Sequence, residues 1–387
     1  MAARKHLPIY RGQARQALAG VGGAHIYTQM ASTNSISHAR PPEIRKPEKR
    51  SMSRPTVKDV AARAGVSTST VSRALTSPER VRPETVHKVR EAAGALHYVY
   101  NATAGSLSSR RTDSLGVILP SSAYSAFSVN LTGIQDVCAE RNFSCRIAAS
   151  RFQPDKERLA MQKYHEQRVS GLIMAGIDPS NIPYLKAMMA DGIPAVVLWE
   201  SPGEDCNYIA IDNFKVAYSG VKYLISLGHE RIALLSGPFL CASRNVERVR
   251  GYKAVLADHG LPYSDVFVRE QLPTFLDGKE SMRACLRLPE PPTAVLCVDD
   301  YLAIGAIRAI HEAGLRVPGD ISVCGLDDVD ISAYFNPPIT TIKTPGLLMG
   351  RMAAGELITA IEQGRPLQTK YMLDAELVIR ESCAARK

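Results

Sequence analysis

Thr68, Ser69 and, one helical turn further on, Arg73 put two hydroxyls and a guanidinium on one short polar face. A guanidinium fork matches the paired acceptors on a guanine edge, so Arg73 is the candidate for reading sequence in a DNA groove. The shorter hydroxyls of Thr68 and Ser69 reach base edges but discriminate among them weakly. Thr56, Ser67, Ser72 and Asn101 are candidates for phosphate contacts, which set register without reading sequence. For Thr56 and Ser67 the plainer role is helix capping, and one hydroxyl can serve both.

These side chains need a rigid element beneath them, and the flanking residues supply it. Thr56 and Asp59 have capping-box spacing, and Val57, Val60, Ala61 and Ala64 recur on one helical face. Gly65 ends that helix at low cost because it tolerates positive φ. Ser67 then caps a second helix running to about Leu75, with Val71 and Leu75 inward and Thr68, Ser69, Ser72 and Arg73 outward. Two short helices about a glycine turn make a helix-turn-helix, whose second helix fits the major groove. Any helical hairpin shares that pattern, so a third helix matters. Pro83 suits a first turn, and Val86, Val89, Ala93 and Leu96 recur at helical spacing after it. Three helices close a small core and leave the second free to protrude.

Residues 56–107 resemble the N-terminal headpiece of the lactose-repressor (LacI-type) family of bacterial transcription regulators. The resemblance is carried by Val57-Lys58-Asp59-Val60-Ala61, Ala64-Gly65-Val66-Ser67, Thr70-Val71-Ser72-Arg73 and Leu96-His97-Tyr98. It implies a homodimer on a near-palindromic double-stranded operator, one headpiece to each half-site. By composition the residues after the third helix read as a flexible linker, too short for an independent helix. By resemblance they are a hinge that turns helical on operator DNA and pushes a leucine into the minor groove, kinking the duplex. Leu107 matches that leucine, and Asn101 and Ala104 match their hinge positions. Two residues depart from the family pattern: Tyr100 stands where Pro is common, and Gly105 where Arg is. Gly105 lowers helix propensity by ~1 kcal/mol relative to Ala, so the hinge is expected to fold less readily.

The net charge of +9 is unevenly spread. Residues 1–54 hold ten Lys/Arg against two Asp/Glu, and residues 55–111 nine against four. Residues 112–387 hold 28 against 32, so the basic charge gathers at the end that carries the DNA-reading helices. Residues 1–53 lack a periodic apolar face and contain Gly20, Gly22, Gly23 and Pro41-Pro42, so a disordered basic extension is expected there. Met52 lies four residues before Thr56, which makes it a candidate natural start; a tail adding non-specific phosphate contacts is the alternative. Lys and Arg interrupt any secretory core, and no apolar run reaches the ~20 residues of a membrane helix. The eight cysteines include no C-x-x-C pair and fit buried thiols in a reducing compartment. A cytoplasmic, nucleoid-associated protein is the expectation.

From Leu115 onward short β-rich runs alternate with helical patterns. Residues 115–119, 171–174, 195–198, 208–211, 232–235, 294–298 and 321–324 read as strands. Residues 129–141, 156–167, 182–190, 247–259, 301–313 and 347–362 read as helices, as does the stretch after Ile211 up to Leu227. Continuous apolar strands between helices mean parallel sheets covered on both faces. The expected fold is an α/β core of two doubly wound parallel-sheet lobes behind a small all-α helix-turn-helix domain, with a ligand cleft between the lobes. The expected division is an extension at 1–53, a headpiece at 54–99, a hinge at 100–111 and a two-lobed effector-binding and dimerisation core at 112–387.

The resemblance extends into this core through Leu227-Gly228-His229-Glu230-Arg231-Ile232, Gly251-Tyr252, Pro318-Gly319-Asp320-Ile321-Ser322-Val323 and Pro338-Ile339-Thr340-Thr341-Ile342. The core is similar to periplasmic sugar-binding proteins. Arg248 and Asp300 match the family's two polar anchors for an effector, and Phe127 matches an aromatic at the cleft mouth. Trp199, the only tryptophan, suits either stacking on a sugar face or packing between lobes. Arg244 either enlarges the positive side of the pocket, favouring an anionic effector, or merely neutralises Glu247. A sugar or sugar acid is the effector expected.

The run Asp327, Asp328 and Asp330 lacks the alternation and distal Glu of a calcium loop and reads as a strand-end loop. Phosphate-cradling Gly-Lys loops, G-x-S-x-G and H-E-x-x-H are all missing, so no catalytic residue, cofactor or metal is assigned. Two other readings stand beside the regulator. A periplasmic-type sugar receptor needs an export signal, and an α/β enzyme using Asp300 and Arg248 needs turnover of its ligand.

Overall fold

The computed structural model describes residues 55–100, 112–121, 125–239 and 242–386. The expected extension at 1–53 and the hinge residues Asn101, Ala104, Gly105 and Leu107 lie outside the described residues, as does Cys241.

Three helices, α1 (Val57–Ala64), α2 (Thr68–Thr76) and α3 (Pro83–Ala95), form the headpiece. Their apolar stripes meet in a core of Val60, Ala61, Val71, Ala74, Val86, Val89, Ala92 and Ala93, with Leu75 and Leu96 half-buried at its rim. The Asp59 carboxylate accepts both the N–H and the hydroxyl of Thr56 at 2.7 Å, which holds the Asp59 carboxyl below its ordinary pKa. Gly65, at φ 67°, makes the turn, and Ser67 Oγ accepts the Thr70 N–H at 3.1 Å to start α2.

The rest of the chain builds two six-stranded sheets. The first lobe holds β1 (Thr112–Leu119), β2 (Ser144–Ala149), β3 (Val169–Ala175), β4 (Ala195–Trp199), β5 (Asn207–Ile211) and the late β11 (Lys370–Leu373). Their order is β11-β5-β4-β3-β1-β2, all parallel. Helices α4 (Ser125–Glu140), α5 (Pro154–Glu166), α6 (Ile182–Ala190) and α12 (Gly346–Gln363) cover it. The second lobe holds β6 (Ile232–Ser236), β7 (Val268–Glu270), β8 (Ala294–Cys297), β9 (Ser322–Asp327), β10 (Thr340–Lys343) and β12 (Glu376–Val378). Their order is β12-β10-β9-β8-β6-β7, antiparallel only at β12. Helices α7 (Asn213–Ser226), α8 (Ser243–Asp258), α9 (Phe275–Leu286), α10 (Asp300–Glu312) and the short α11 (Asp330–Tyr334) belong to this lobe. Every residue of β4, β6 and β8 is buried, as parallel strands covered on both faces must be.

In each lobe the first strand sits between the second and third, so the winding reverses there and a crevice opens at the carboxyl ends of the strands. The chain passes between lobes three times: at Asp212 after β5, at Thr344 after β10 and at Asp374 after β11. Several elements had no counterpart in the sequence pattern: β2, β7, β10, β11, β12, α9 and α11. Strand β2 shows why, since four of its six residues are exposed edge positions and no continuous apolar run marks it. Among the described residues no helix is long and apolar enough to cross a membrane. Of the seven described cysteines, all free, five are buried and Cys145 and Cys383 are half-buried.

Candidate functional site

Helix α2 turns Val71 and Ala74 into the headpiece core and leaves Thr68, Ser69 and Arg73 exposed on the opposite side. The Ser69 hydroxyl lies 2.8 Å from Ser67 Oγ, so those two hydroxyls are partnered at the start of the helix. Thr56 and Ser67 both act as caps. Ser72 is half-buried, with its hydroxyl 3.4 Å from the hydroxyl of Tyr100. The residue that departs from the family's proline thus meets the exposed helix.

A second constellation gathers at the carboxyl ends of the strands, where both lobes line a pocket open to solvent. Phe127, Phe152 and Trp199 line it from the first lobe; Arg244, Asn245, Arg248, Asp299 and Asp327 line it from the second. The Phe127 ring stands edge-on to Trp199 and to Phe152, with centroids 6.3 Å apart in both pairs. Trp199 Nε1 donates to Asn130 Oδ1 at 2.7 Å, which fixes the indole. Arg248 Nε donates to Asn213 Oδ1 at 3.0 Å, and its Nη1 to Asn245 Oδ1 at 3.3 Å and to the Val298 carbonyl at 3.4 Å. Phe152 (φ 56°), Trp199 (φ 76°) and Asp327 (φ 103°) are non-glycine residues held at positive φ. Such strain costs about 1–3 kcal/mol at each position and clusters at functional sites.

Glu200 joins the lobes. It follows β4 in the first, while its carboxylate accepts the Arg244 N–H at 2.9 Å and the Ser243 hydroxyl at the start of α8 in the second. It also accepts the Ile177 N–H at 2.9 Å and lies 3.5 Å from Arg244 Nη1. A carboxylate at a helix N-terminus gains from the helix dipole as well as from the ion pair. The same cleft wall reaches the crossings. Asn130 Nδ2 donates to the Gly346 carbonyl at 2.7 Å, Asn213 Nδ2 to the Trp199 carbonyl at 2.8 Å, and Thr344 Oγ1 to Asp327 Oδ1 at 3.2 Å.

The cleft holds two arginines, and each has acidic company. Burial and the neighbouring Asp327 raise the Asp299 carboxyl well above the usual range, with Arg248 opposing. Burial pushes Asp327 up to about 7, again against the pull of Arg248. Burial also brings Arg248 down to about 10. Each carboxyl thus holds its proton more readily than a free aspartate does.

Asp300, expected as the carboxylate anchor, lies behind the wall of the cleft. It is fully buried and not among the lining residues; its carboxylate accepts the Val329 N–H at 2.9 Å and the hydroxyls of Ser332 and Thr341 at 2.6 and 2.7 Å. Burial still pushes it up to about 6. The carboxylates at the cleft are Asp299, which also caps α10 through the Tyr301 N–H, and Asp327. Glu247 pairs with Arg250 at 2.8 Å, so Arg244 is not its partner. Asp328 pairs with Arg380, and among the described residues no group of three ligating side chains is placed to hold a metal. Phe152, Glu200 and Asn213 had no sequence motif. Asp327 had one usable signal, its place at the carboxyl end of a strand.

Known proteins share this arrangement. The family model for bacterial regulatory proteins of the lacI family matches residues 56–101, and that for a periplasmic binding protein-like domain matches residues 221–383. The HTH-type transcriptional repressor PurR of Histophilus somni is 34% identical over 329 residues, covering 84% of this chain and 98% of that protein. The chain belongs to the lacI family of bacterial regulatory proteins. It is therefore a DNA-binding transcriptional regulator with an effector-binding core. The HTH-type transcriptional repressor CytR of Escherichia coli is 31% identical, covering 85% of this chain and 96% of its own. Among solved structures, the lac repressor dimer bound to operator and the anti-inducer ONPF superposes with a TM-score of 0.76 at 32% identity, over 85% of this chain and 99% of that one. The complex of the transcriptional regulator CelR with cellobiose gives 0.62 at 30% identity, over 85% and 100%.

Proposed function

We propose that this family member is a cytoplasmic homodimeric repressor of a near-palindromic operator, controlled by a neutral sugar held between its lobes. Arg73 reads a base, Thr68 and Ser69 reach base edges beside it, and the caps Thr56 and Ser67 with Ser72 and Asn101 meet phosphates. Ala104 and Leu107 serve the minor groove. Phe127 and Trp199 give the sugar its apolar wall, while Arg244, Arg248, Asp299 and Asp327 give hydrogen bonds; Asp299 and Asp327 replace Asp300 in that role.

The observation that carries the effector class is the charge balance of the cleft. Glu200 neutralises Arg244, and Asp299 and Asp327 line the cleft beside Arg248, so both arginines have acidic company. An anionic sugar acid would bring charge into a site with no unpaired cation, which is costly. Neutral hydroxyls meet donors and acceptors along the second-lobe wall. The effector shifts the operator equilibrium by binding one lobe arrangement better than the other.

The experiment selects bound sites from random duplex DNA at moderate salt, then challenges the complex with aldoses and their matched aldonic acids. A palindrome whose binding responds to an aldose and not to its acid supports the proposal; a response to the acid alone refutes the effector class. Arg73→Ala should lose about 1–3 kcal/mol of discrimination at one base position per half-site while keeping the salt-dependent, non-specific term. Equal loss on every sequence, measured by filter binding, would contradict base reading.

A further inference from the structure

The chain that leaves the headpiece does not run straight off the end of α3. Leu96 closes the helix, His97 stands at φ 50°, and the Tyr98 N–H returns to the Ala93 carbonyl at 2.8 Å. Tyr98 packs against the headpiece core, Val99 is exposed, and Tyr100 is half-buried again. That alternation lays the exit chain back over the headpiece. It carries the Tyr100 hydroxyl to that of Ser72 on α2, with the two oxygens 3.4 Å apart.

This pair is spaced differently from other hydroxyls on the same surface. Thr56 is bound to Asp59 at 2.7 Å, and Ser67 Oγ lies 2.8 Å from the hydroxyls of both Ser69 and Thr70. Those groups are already held within the caps. At 3.4 Å, Ser72 and Tyr100 lie outside the range of about 2.5–3.0 Å for an ordinary O–H···O bond. An acceptor about 2.7 Å from each hydroxyl fits between them, so both O–H groups can donate to one oxygen. Such donation is roughly twice as strong when the oxygen is anionic. Arg73 follows Ser72 on α2 and is exposed, and residues 55–111 hold nine Lys/Arg against four Asp/Glu, so this surface attracts anions.

We propose that Tyr100 is a DNA-backbone contact, its hydroxyl and that of Ser72 forming a two-pronged clamp on one phosphate oxygen of each operator half-site. The clamp joins the DNA-reading helix to the chain that leaves it. One phosphate thereby fixes both the seat of α2 and the point where the linker departs. Tyr100 sets register and reads no base. The proposal rests on the reading of Ser72 as a phosphate contact and supplies the partner that completes it.

The test compares the wild type with Tyr100→Phe, Ser72→Ala and the double variant, all as full chains, on the selected operator and on its single-base variants. Tyr100→Phe keeps the ring and removes only the hydroxyl. It should weaken binding roughly tenfold, by the same factor on every base variant, and leave the melting temperature of the free protein unchanged. A prong left alone no longer fixes the oxygen, so the double variant should lose less than the product of the two single losses. Methylphosphonates placed one at a time along the operator then locate the phosphate. One position per half-site should weaken the wild type and weaken Tyr100→Phe and Ser72→Ala markedly less, an effect that a purely structural tyrosine would not produce. Wild-type affinity in Tyr100→Phe, with Ser72→Ala weakened, overturns the clamp and spares the reading of Ser72. Losses that multiply in full, with no methylphosphonate position common to both residues, overturn it as well. Wild-type affinity in both single variants would defeat the reading of Ser72 and the clamp together.

Discussion

The two lobes wind their strands in the same order yet bring opposite chemistry to the cleft between them. The first supplies rings: Phe127, Phe152 and Trp199, packed edge-on. The second supplies charge: Arg244, Arg248, Asp299 and Asp327. The one carboxylate the first lobe extends, Glu200, is bonded to the start of α8 in the second. Identical scaffolds have thus divided the work, one wall choosing the ligand by hydrogen bonds and the other excluding water so that those bonds act at low dielectric. Damage to the polar wall should abolish recognition. Damage to the apolar wall should weaken it while leaving its pattern intact.

Arg248→Ala tests the polar wall and carries the largest expected effect. It removes the donor to Asn213 Oδ1 at the first crossing and the cation facing Asp299 and Asp327. Truncating a buried, hydrogen-bonded charge costs about 2–5 kcal/mol of binding, or on the order of a hundredfold in Kd. The operator should still be bound, and no sugar should alter that binding. An Arg248→Ala protein that responds to effector at wild-type concentration would remove the second lobe from its assigned part.

How far the sequence revealed this division depends on whether each signal was local. The headpiece was legible because every cue lies within a turn or two: Thr56 to Asp59, Gly65 after Ala64, Ser67 to Thr70. The buried strands were legible as apolar runs. Strand β10, Thr340–Lys343, was not, because Thr-Thr-Ile-Lys has no apolar run and is buried by elements distant in sequence, β9, β12 and helix α7 over Ile342. The three crossings are long-range facts that no window contains. Where Asp300 would lie relative to the cleft was hidden for a finer reason: it follows Asp299 where an extended residue (φ −164°) gives way to a helix, and that bend sends Asp299 to the cleft and Asp300 to Ser332 and Thr341. Neither helical nor strand periodicity applies at such a junction.

Trp199→Phe tests the apolar wall and should do less. The ring keeps most of its contact with Phe127 but loses the donor to Asn130 Oδ1, whose amide reaches the Gly346 carbonyl at the second crossing. One buried hydrogen bond left unmade costs about 1–3 kcal/mol. Effector affinity should fall roughly tenfold with the ranking of sugars unchanged. As the sole tryptophan, Trp199 also makes wild-type fluorescence a direct report on the cleft. A changed ranking of sugars in Trp199→Phe would mean that the first lobe selects as well as encloses.

The smallest effect concerns the titration of Asp327 on the polar wall. Burial first, and then Asp300 among its neighbours, lifts Asp327 from the 3.8 of an ordinary aspartate to about 7. The folded protein therefore holds this proton more tightly than the unfolded chain. The stability it contributes is fully present below pH 3.8 and declines as pH rises, to be lost on passing through about 7. Asp327→Asn keeps the shape, removes the titration and relieves the repulsion felt by Asp299. Its melting temperature should exceed that of the wild type at pH 8, by about 2–4 °C for each kcal/mol relieved, and should vary less between pH 5 and pH 8. Differential scanning calorimetry across that range reads both quantities. Parallel curves for the two proteins would show that Arg248 already compensates both carboxylates in full. The cleft would then carry a net negative charge, and cationic ligands would have to join the neutral ones it is expected to take.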